Sequence, residues 1–146
     1  MRLAFPLINS LNMAWYPILM KKAYNEEQFN VVRLELQKIE DFITSNNKSE
    51  TSSFSLGTEN PTQLDIHIYV HIERLNMLKG SVYNDSLWAN MGFESYPRIL
   101  SLLHAIRARP EFKGLNVIAN PKPLHEYMEK SINAAVGVKI QLYLPI

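Results

Sequence analysis

The chain has no cysteine among its 146 residues, and this absence excludes several kinds of chemistry. Disulfide scaffolds, thiolate zinc sites, iron–sulfur clusters and cysteine nucleophiles all need a thiol. Glycine is scarce, and the five glycines are too scattered to form a phosphate-binding loop. An excess of one charge is also missing, because 15 basic and 14 acidic side chains leave a net charge of +1. We therefore expect no generic nucleic-acid footprint.

The 47% of hydrophobic residues is enough for a core, and the length fits one domain. The chain is free of acidic residues up to Asn25, as in mitochondrial targeting segments and signal sequences. A first core helix is the favoured interpretation, because Pro6 and Pro17 bracket too short an apolar run for a membrane span. The residues at helical spacing are Leu7, Leu11, Ala14, Trp15 and Ile18. We expect an intracellular, cytoplasmic protein, with a mitochondrial location as the alternative.

Two further segments have the apolar spacing of amphipathic helices. The second helix follows a predicted N-cap at Asn25, and the fourth has Pro97 in its first turn after a cap at Glu94 or Ser95. The residues predicted to face the core are Phe29, Val32, Leu36, Ile39 and Ile43 in the second helix, and Ile99, Leu102, Leu103 and Ile106 in the fourth. The serine-rich stretch 45–55 is predicted to be a surface loop.

The third helix opens with a capping box formed by Thr62 and Asp65. In such a box the Thr62 hydroxyl accepts a hydrogen bond from the backbone N–H of Asp65, and the Asp65 carboxylate reaches back to the N–H of Thr62. The apolar residues that follow form a nearly continuous row, which predicts a central helix that is buried on most sides. These residues are Leu64, Ile66, Ile68, Val70, Ile72 and Leu75.

The C-terminal part divides into a predicted fifth helix and a tail. The helix begins at Pro121 or Pro123 and ends near Ala135, which closes a single helical domain over 1–135. In the tail, 136–146, apolar and other residues alternate with the period of a strand. Its apolar members Val138, Ile140, Leu142 and Leu144 are candidate interface residues that can add to a sheet of another protein.

Three parts of this pattern resemble one known family. A glycine-containing turn at 54–57 precedes the capping-box segment 61–67, which continues to 72–75. The segment 96–113 follows, and its helix ends in an arginine–proline pair. Together they resemble the C-terminal, all-helical domain of glutathione transferases over roughly 7–114. The resemblance implies an all-α bundle of about five helices with an extended C-terminal tail, and it gives Thr62 and Asp65 a role in folding.

The enzymes of that family also have an N-terminal thioredoxin-like half, which binds glutathione and supplies the residue that activates its sulfur. No βαβ pattern precedes the helices here, so we assign no catalytic, cofactor-binding or metal-binding residue. In the family, the region equivalent to Trp15, Tyr16 and Tyr24 lines a pocket against the thioredoxin-like half. Without that half these aromatic side chains are expected to form an open surface that binds a protein partner.

The favoured function is therefore a non-catalytic subunit or scaffold in a protein assembly. The alternative is a glutathione transferase, or a degenerate relative, whose thioredoxin-like half is missing or supplied by another chain. Glutathione binding is expected only with that half. A third hypothesis is a carrier with an apolar ligand pocket between the first and third helices. Enzymatic activity is left open, with none expected of the isolated chain.

Several other polar residues have two interpretations. His67 and His71 have the spacing of two metal ligands on one helix, but a site needs a third ligand and Glu73 lies off that face, which favours packed histidines. Adjacent carboxylates such as Glu40 and Asp41 are predicted to be solvated. A basic cluster is compatible with either an anion-binding patch or a solvated helix face. Its members are Arg98, Arg107, Arg109 and Lys113.

Overall fold

The computed structural model describes residues 4–20, 25–76 and 91–112 of the chain. The four α-helices of this part are α1 (Ala4–Met20), α2 (Glu26–Asn46), α3 (Gln63–Asn76) and α4 (Pro97–Ala108). Short 3₁₀ turns, Phe93–Ser95 and Pro110–Phe112, flank α4. Within these ranges there is no strand, so the fold is all-α, as expected. The predicted fifth helix, the tail and Tyr24 lie outside the described residues.

The core lies between the four helices, because α1 packs on α2 and α3 while α4 packs on the same two helices. Every residue predicted to face the core in the second and fourth helices is buried there. In α1, Leu11, Ala14 and Ile18 are buried as predicted, and Leu7 packs against the core edge. The 3.6-residue period therefore located the buried stripes correctly.

Most described side chains of α3 are buried or half-buried, in line with the predicted burial on most sides, and one side of the helix is exposed. Val70 is exposed and Ile66 is only half-buried, whereas Leu64, Ile68 and Ile72 are in the core. The buried side of α3 also contains polar residues, namely Asp65, Tyr69 and Glu73. The two neighbouring helices leave one side of α3 uncovered and bury carboxylates that the apolar pattern did not reveal.

The starts of α2 and α4 are capped in different ways. Asn25 is the predicted N-cap of α2, and its side chain accepts a hydrogen bond from the N–H of Gln28 at 2.8 Å. The N-cap of α4 is Tyr96, which makes no side-chain capping bond. The predicted caps of α4, Glu94 and Ser95, lie instead in the preceding 3₁₀ turn. That prediction was wrong, and the N-terminus of α4 obtains its acceptors from another helix, as shown below.

A side-chain hydrogen bond from α2 to a backbone carbonyl inside α1 connects these two helices. Pro17 has no N–H, so the normal helical donor to the carbonyl of Met13 is absent. The side-chain amide of Gln28 on α2 donates to the neighbouring carbonyl of Ala14. No helix in the described part of the chain is long and apolar enough to cross a membrane.

Candidate functional site

The side of α1 that faces away from the core has no charge. We call this surface the outer face of α1, and its residues are Pro6, Asn9, Ser10, Met13 and Tyr16. Met13 is 64% exposed and Tyr16 is 44% exposed. None of the 17 residues of α1 is acidic or basic. An exposed helix face normally carries charged side chains, and uncharged faces with Met and aromatic residues are typical of interface centres.

Two large apolar side chains are also exposed on α2. The amide of Gln28 contacts α1 through the carbonyl of Ala14, and Val31 lies three residues, or almost one turn, farther along α2. Val31 is 39% exposed, and Leu34, one further turn on, is 62% exposed. Large exposed apolar side chains therefore occur on both helices of this pair.

The structure separates the aromatic residues that were predicted to form one open surface. Tyr16 is exposed on the outer face of α1, as predicted. Trp15 is only 6% exposed and belongs to the core, so its prediction as an interface residue was wrong. Successive helix residues point about 100° apart, and the packing of α1 on α2 and α3 turns Trp15 inward. Tyr24 lies outside the described residues, as do Val138, Ile140, Leu142 and Leu144.

The capping box at the start of α3 holds a buried carboxylate. Asp65 is fully buried, and its Oδ2 accepts from the N–H of Thr62 at 2.6 Å, as predicted. The Thr62 hydroxyl donates to the same oxygen at 2.7 Å, rather than accepting from Asp65. The N–H of Ser55 donates to Oδ1 at 2.7 Å. Asp65 therefore ties the loop before α3 to the first turn of that helix, a link between residues ten apart that the box motif did not predict.

A second buried carboxylate, that of Glu40 on α2, caps the N-terminus of α4. Its two oxygens accept from the backbone N–H groups of Arg98 and Ile99 at 2.8 and 2.9 Å. These groups have no partner within their own helix, and the helix dipole favours an anion at this end. Glu40 is only 6% exposed, so the prediction that it is solvated was wrong. Asp41, the next residue, is exposed as predicted.

A third carboxylate connects α3 to α4. Nη2 of Arg107 lies 2.6 Å from both carboxylate oxygens of Glu73, which is 8% exposed. Tyr69 is one turn earlier on α3 and only 2% exposed. Its burial and the nearby Glu73 carboxylate raise the pKa of Tyr69 to about 12, although Arg107 acts in the opposite direction. The Tyr69 hydroxyl therefore stays protonated at neutral pH, and the cluster links two helices instead of supplying a nucleophile.

Comparisons of this chain with known families and proteins give no relative. No protein-family model, curated protein or solved structure matches this chain. The resemblance to glutathione transferases therefore stays a prediction.

His67 on α3 packs against an aromatic ring of α1. The ring of His67 meets the ring of Phe5 edge-on, with the ring centres 5.0 Å apart and the planes at 81°. Among the residues of known placement, no group of three or more acidic or histidine side chains could hold a metal ion. His67 thus contributes to the contact between α1 and α3.

The predicted basic cluster is divided between separate contacts. Arg107 is paired with Glu73, as described above, and Arg98 is exposed at the other end of α4. Arg109 lies over the ring of Phe54, with its guanidinium carbon 5.3 Å from the ring centre, and donates to the carbonyl of Glu59 at 2.6 Å. Lys113 lies outside the described residues. Arg107 and Arg109 therefore stabilise packing, and this arrangement gives no support to the anion-binding interpretation.

An open cleft of about 480 Å³ lies between the serine-rich loop and the end of α4. This position differs from that of the apolar carrier pocket expected between the first and third helices. Hydroxyl groups line the cleft, but internal bonds already engage them: Ser52 Oγ donates to the carbonyl of Thr58 at 2.6 Å, and Ser49 Oγ accepts from the N–H of Ser52 at 3.0 Å. The serine-rich loop is therefore held by hydrogen bonds within itself, and it forms one side of the cleft.

Proposed function

We propose that this chain is a non-catalytic helical module, of the type found as the C-terminal domain of glutathione transferases, and that it acts as a subunit or scaffold in a protein assembly. The observation that carries the proposal is the uncharged outer face of α1, with its exposed Met13 and Tyr16. An exposed helix face of this length without any charged residue is typical of a face that another protein covers.

The helices on which α1 packs are connected by internal bonds, and this supports a binding role for the outer face of α1. Glu40, Asp65 and Glu73 each connect two separate parts of the chain through hydrogen bonds of 2.6–2.9 Å. A surface presented by interlinked helices loses little conformational entropy when a partner binds. The described residues thus combine a preorganised framework with an uncharged outer surface.

The proposal is tested by measuring the native mass of the tagged protein purified gently from its own cells. We expect an assembly of constant stoichiometry that is heavier than the 16.9 kDa chain. Met13→Lys places a charge on the outer face of α1 and should dissociate the assembly. Val70→Lys is the matched control, because it changes an exposed apolar residue on α3. A lone wild-type monomer, or equal behaviour of the two variants, would contradict the proposal.

The second candidate is a glutathione transferase whose thioredoxin-like half is separate from this chain. Tyr16 favours it, because an exposed aromatic side chain on this helix suits a pocket for apolar co-substrates between two halves. Retention on immobilised glutathione and conjugation of a chromogenic acceptor, measured on the native assembly, test it. An assembly that neither binds glutathione nor turns over the acceptor would exclude this candidate and leave the scaffold proposal intact.

A further inference from the structure

All the sulfur of this chain is in methionine, because the sequence has six methionines and no cysteine. No thiol of the chain therefore competes for an oxidant. Among the methionine side chains that the structure describes, Met13 is 64% exposed on the outer face of α1, whereas Met91 is 2% exposed in the core. A thioether is oxidised where an oxidant reaches its sulfur, so oxidation should discriminate sharply between these two residues.

Met13 also lies in the middle of the surface that the proposed function assigns to binding. Asn9 and Ser10 are one turn before it and Tyr16 is three residues after it, all on the same exposed side of α1. In the described part of the chain no other large hydrophobic side chain is more exposed than that of Met13. A chemical change at this sulfur therefore alters the centre of the outer face of α1.

Resting on the proposed function, we propose that Met13 is a reversible oxidation site and that its sulfoxide weakens the assembly. The sulfur lone pair attacks one oxygen of hydrogen peroxide, and the S–O bond forms as the O–O bond breaks. The proton of the transferred oxygen passes to the departing hydroxide, which leaves as water. The sulfur loses two electrons and the peroxide gains them. A methionine sulfoxide reductase reverses the step with two thiols, which become a disulfide as water is released.

Oxidation removes the property that suits the outer face of α1 to binding. The thioether is apolar and flexible, whereas the sulfoxide is polar and accepts hydrogen bonds. Burying a polar group without a hydrogen-bond partner lowers affinity by roughly 5- to 150-fold. In the assembly the partner covers Met13 and shields its sulfur. Peroxide therefore acts on the free chain and keeps it from assembling.

Peroxide treatment of the purified free chain tests the site itself. Peptide mass spectrometry measures the uptake of one oxygen at each methionine against time. If the rate follows the exposed fraction, Met13 should be oxidised about 30-fold faster than Met91, because the two fractions are 64% and 2%. Equal rates at the two residues would overturn the inference.

Partial oxidation of the native assembly tests the effect on binding. After limited peroxide treatment, size-exclusion chromatography separates the assembled chain from the free chain, and mass spectrometry measures the Met13 sulfoxide in each. We expect the sulfoxide to be concentrated in the free chain, and methionine sulfoxide reductase with a dithiol should return that chain to the assembly. Met13→Leu keeps an apolar side chain of similar volume without sulfur. Peroxide should release less of this variant than of the wild type, each relative to its own untreated sample.

The two proposals can fail separately. An assembly whose free and assembled chains contain equal fractions of Met13 sulfoxide would refute the oxidation switch and leave the subunit function intact. A wild-type chain that is a lone monomer before any treatment would contradict the subunit function, and with it the effect of oxidation on binding, whatever the relative rates at Met13 and Met91.

Discussion

Removing the carboxylate of Glu40 should destabilise the protein far more than removing that of its neighbour Asp41. Glu40→Ala deletes two hydrogen bonds, of 2.8 and 2.9 Å, to the first turn of α4, and leaves the N–H of Ile99 buried without an acceptor. A hydrogen bond to a charged group is worth about 1.5–3 kcal/mol. Because bonds of one carboxylate are not additive, we expect a loss of about 3 kcal/mol in the free energy of unfolding.

Urea denaturation followed by circular dichroism at 222 nm measures this loss. For a chain of 146 residues, about 3 kcal/mol corresponds to a decrease of roughly 10 °C in Tm. Asp41→Ala is the control, because Asp41 is exposed and its carboxylate accepts from the exposed amide of Gln37. Asp41→Ala should change the free energy of unfolding by less than about 0.5 kcal/mol. Glu40→Gln keeps one acceptor and loses the charge, so its stability should fall between wild type and Glu40→Ala.

The result that would refute this reasoning is equal stability of Glu40→Ala and Asp41→Ala. It would mean that the N-terminus of α4 obtains its stabilisation elsewhere and that the connection between α2 and α4 has little energetic weight. A large loss in Glu40→Ala with none in Glu40→Gln would show that one neutral acceptor is sufficient and that the charge of Glu40 contributes little.

Three further predictions concern the loop and α3. Asp65→Ala should cost about 3–4 kcal/mol in urea denaturation, because it leaves the N–H groups of Ser55 and Thr62 without their acceptor. Gly57→Ala should cost about 1–2 kcal/mol, since φ is +70° and the added Cβ would lie 3.0 Å from Asn47 Oδ1. Stability should fall by about 2–3 kcal/mol between pH 10 and pH 12, because the unfolded state then loses the Tyr69 proton while the folded state keeps it.

Each of these has its own control. Tyr69→Phe should remove that part of the alkaline loss in stability, and an unchanged pH profile in this variant would contradict the raised pKa. Glu59→Ala, an exposed change in the same loop, should leave stability nearly unaltered beside Asp65→Ala. Gly57→Ala as stable as wild type would show that the loop relaxes around the new methyl group.

The features of the candidate site that the sequence predicted are those set by residues close together in the chain. The absence of charge in α1 and the exposure expected for Tyr16 follow from the order of residues in one helix. The burial of Trp15 also agrees with the apolar spacing of α1, which placed it among the core residues. Its assignment to an open surface came from the family resemblance instead, and that assignment failed.

What the sequence by itself determined is local: four helices with their buried stripes, the Asn25 cap and the return bond from Asp65 to Thr62. These features depend on residues within a few positions of each other, whose geometry the helix period specifies. Only the tertiary structure decided that Glu40 caps a helix starting 57 residues later, and that Glu73 pairs with Arg107. Such contacts form where packed helices bring residues that are distant in the sequence together, so no residue spacing along the chain predicts them.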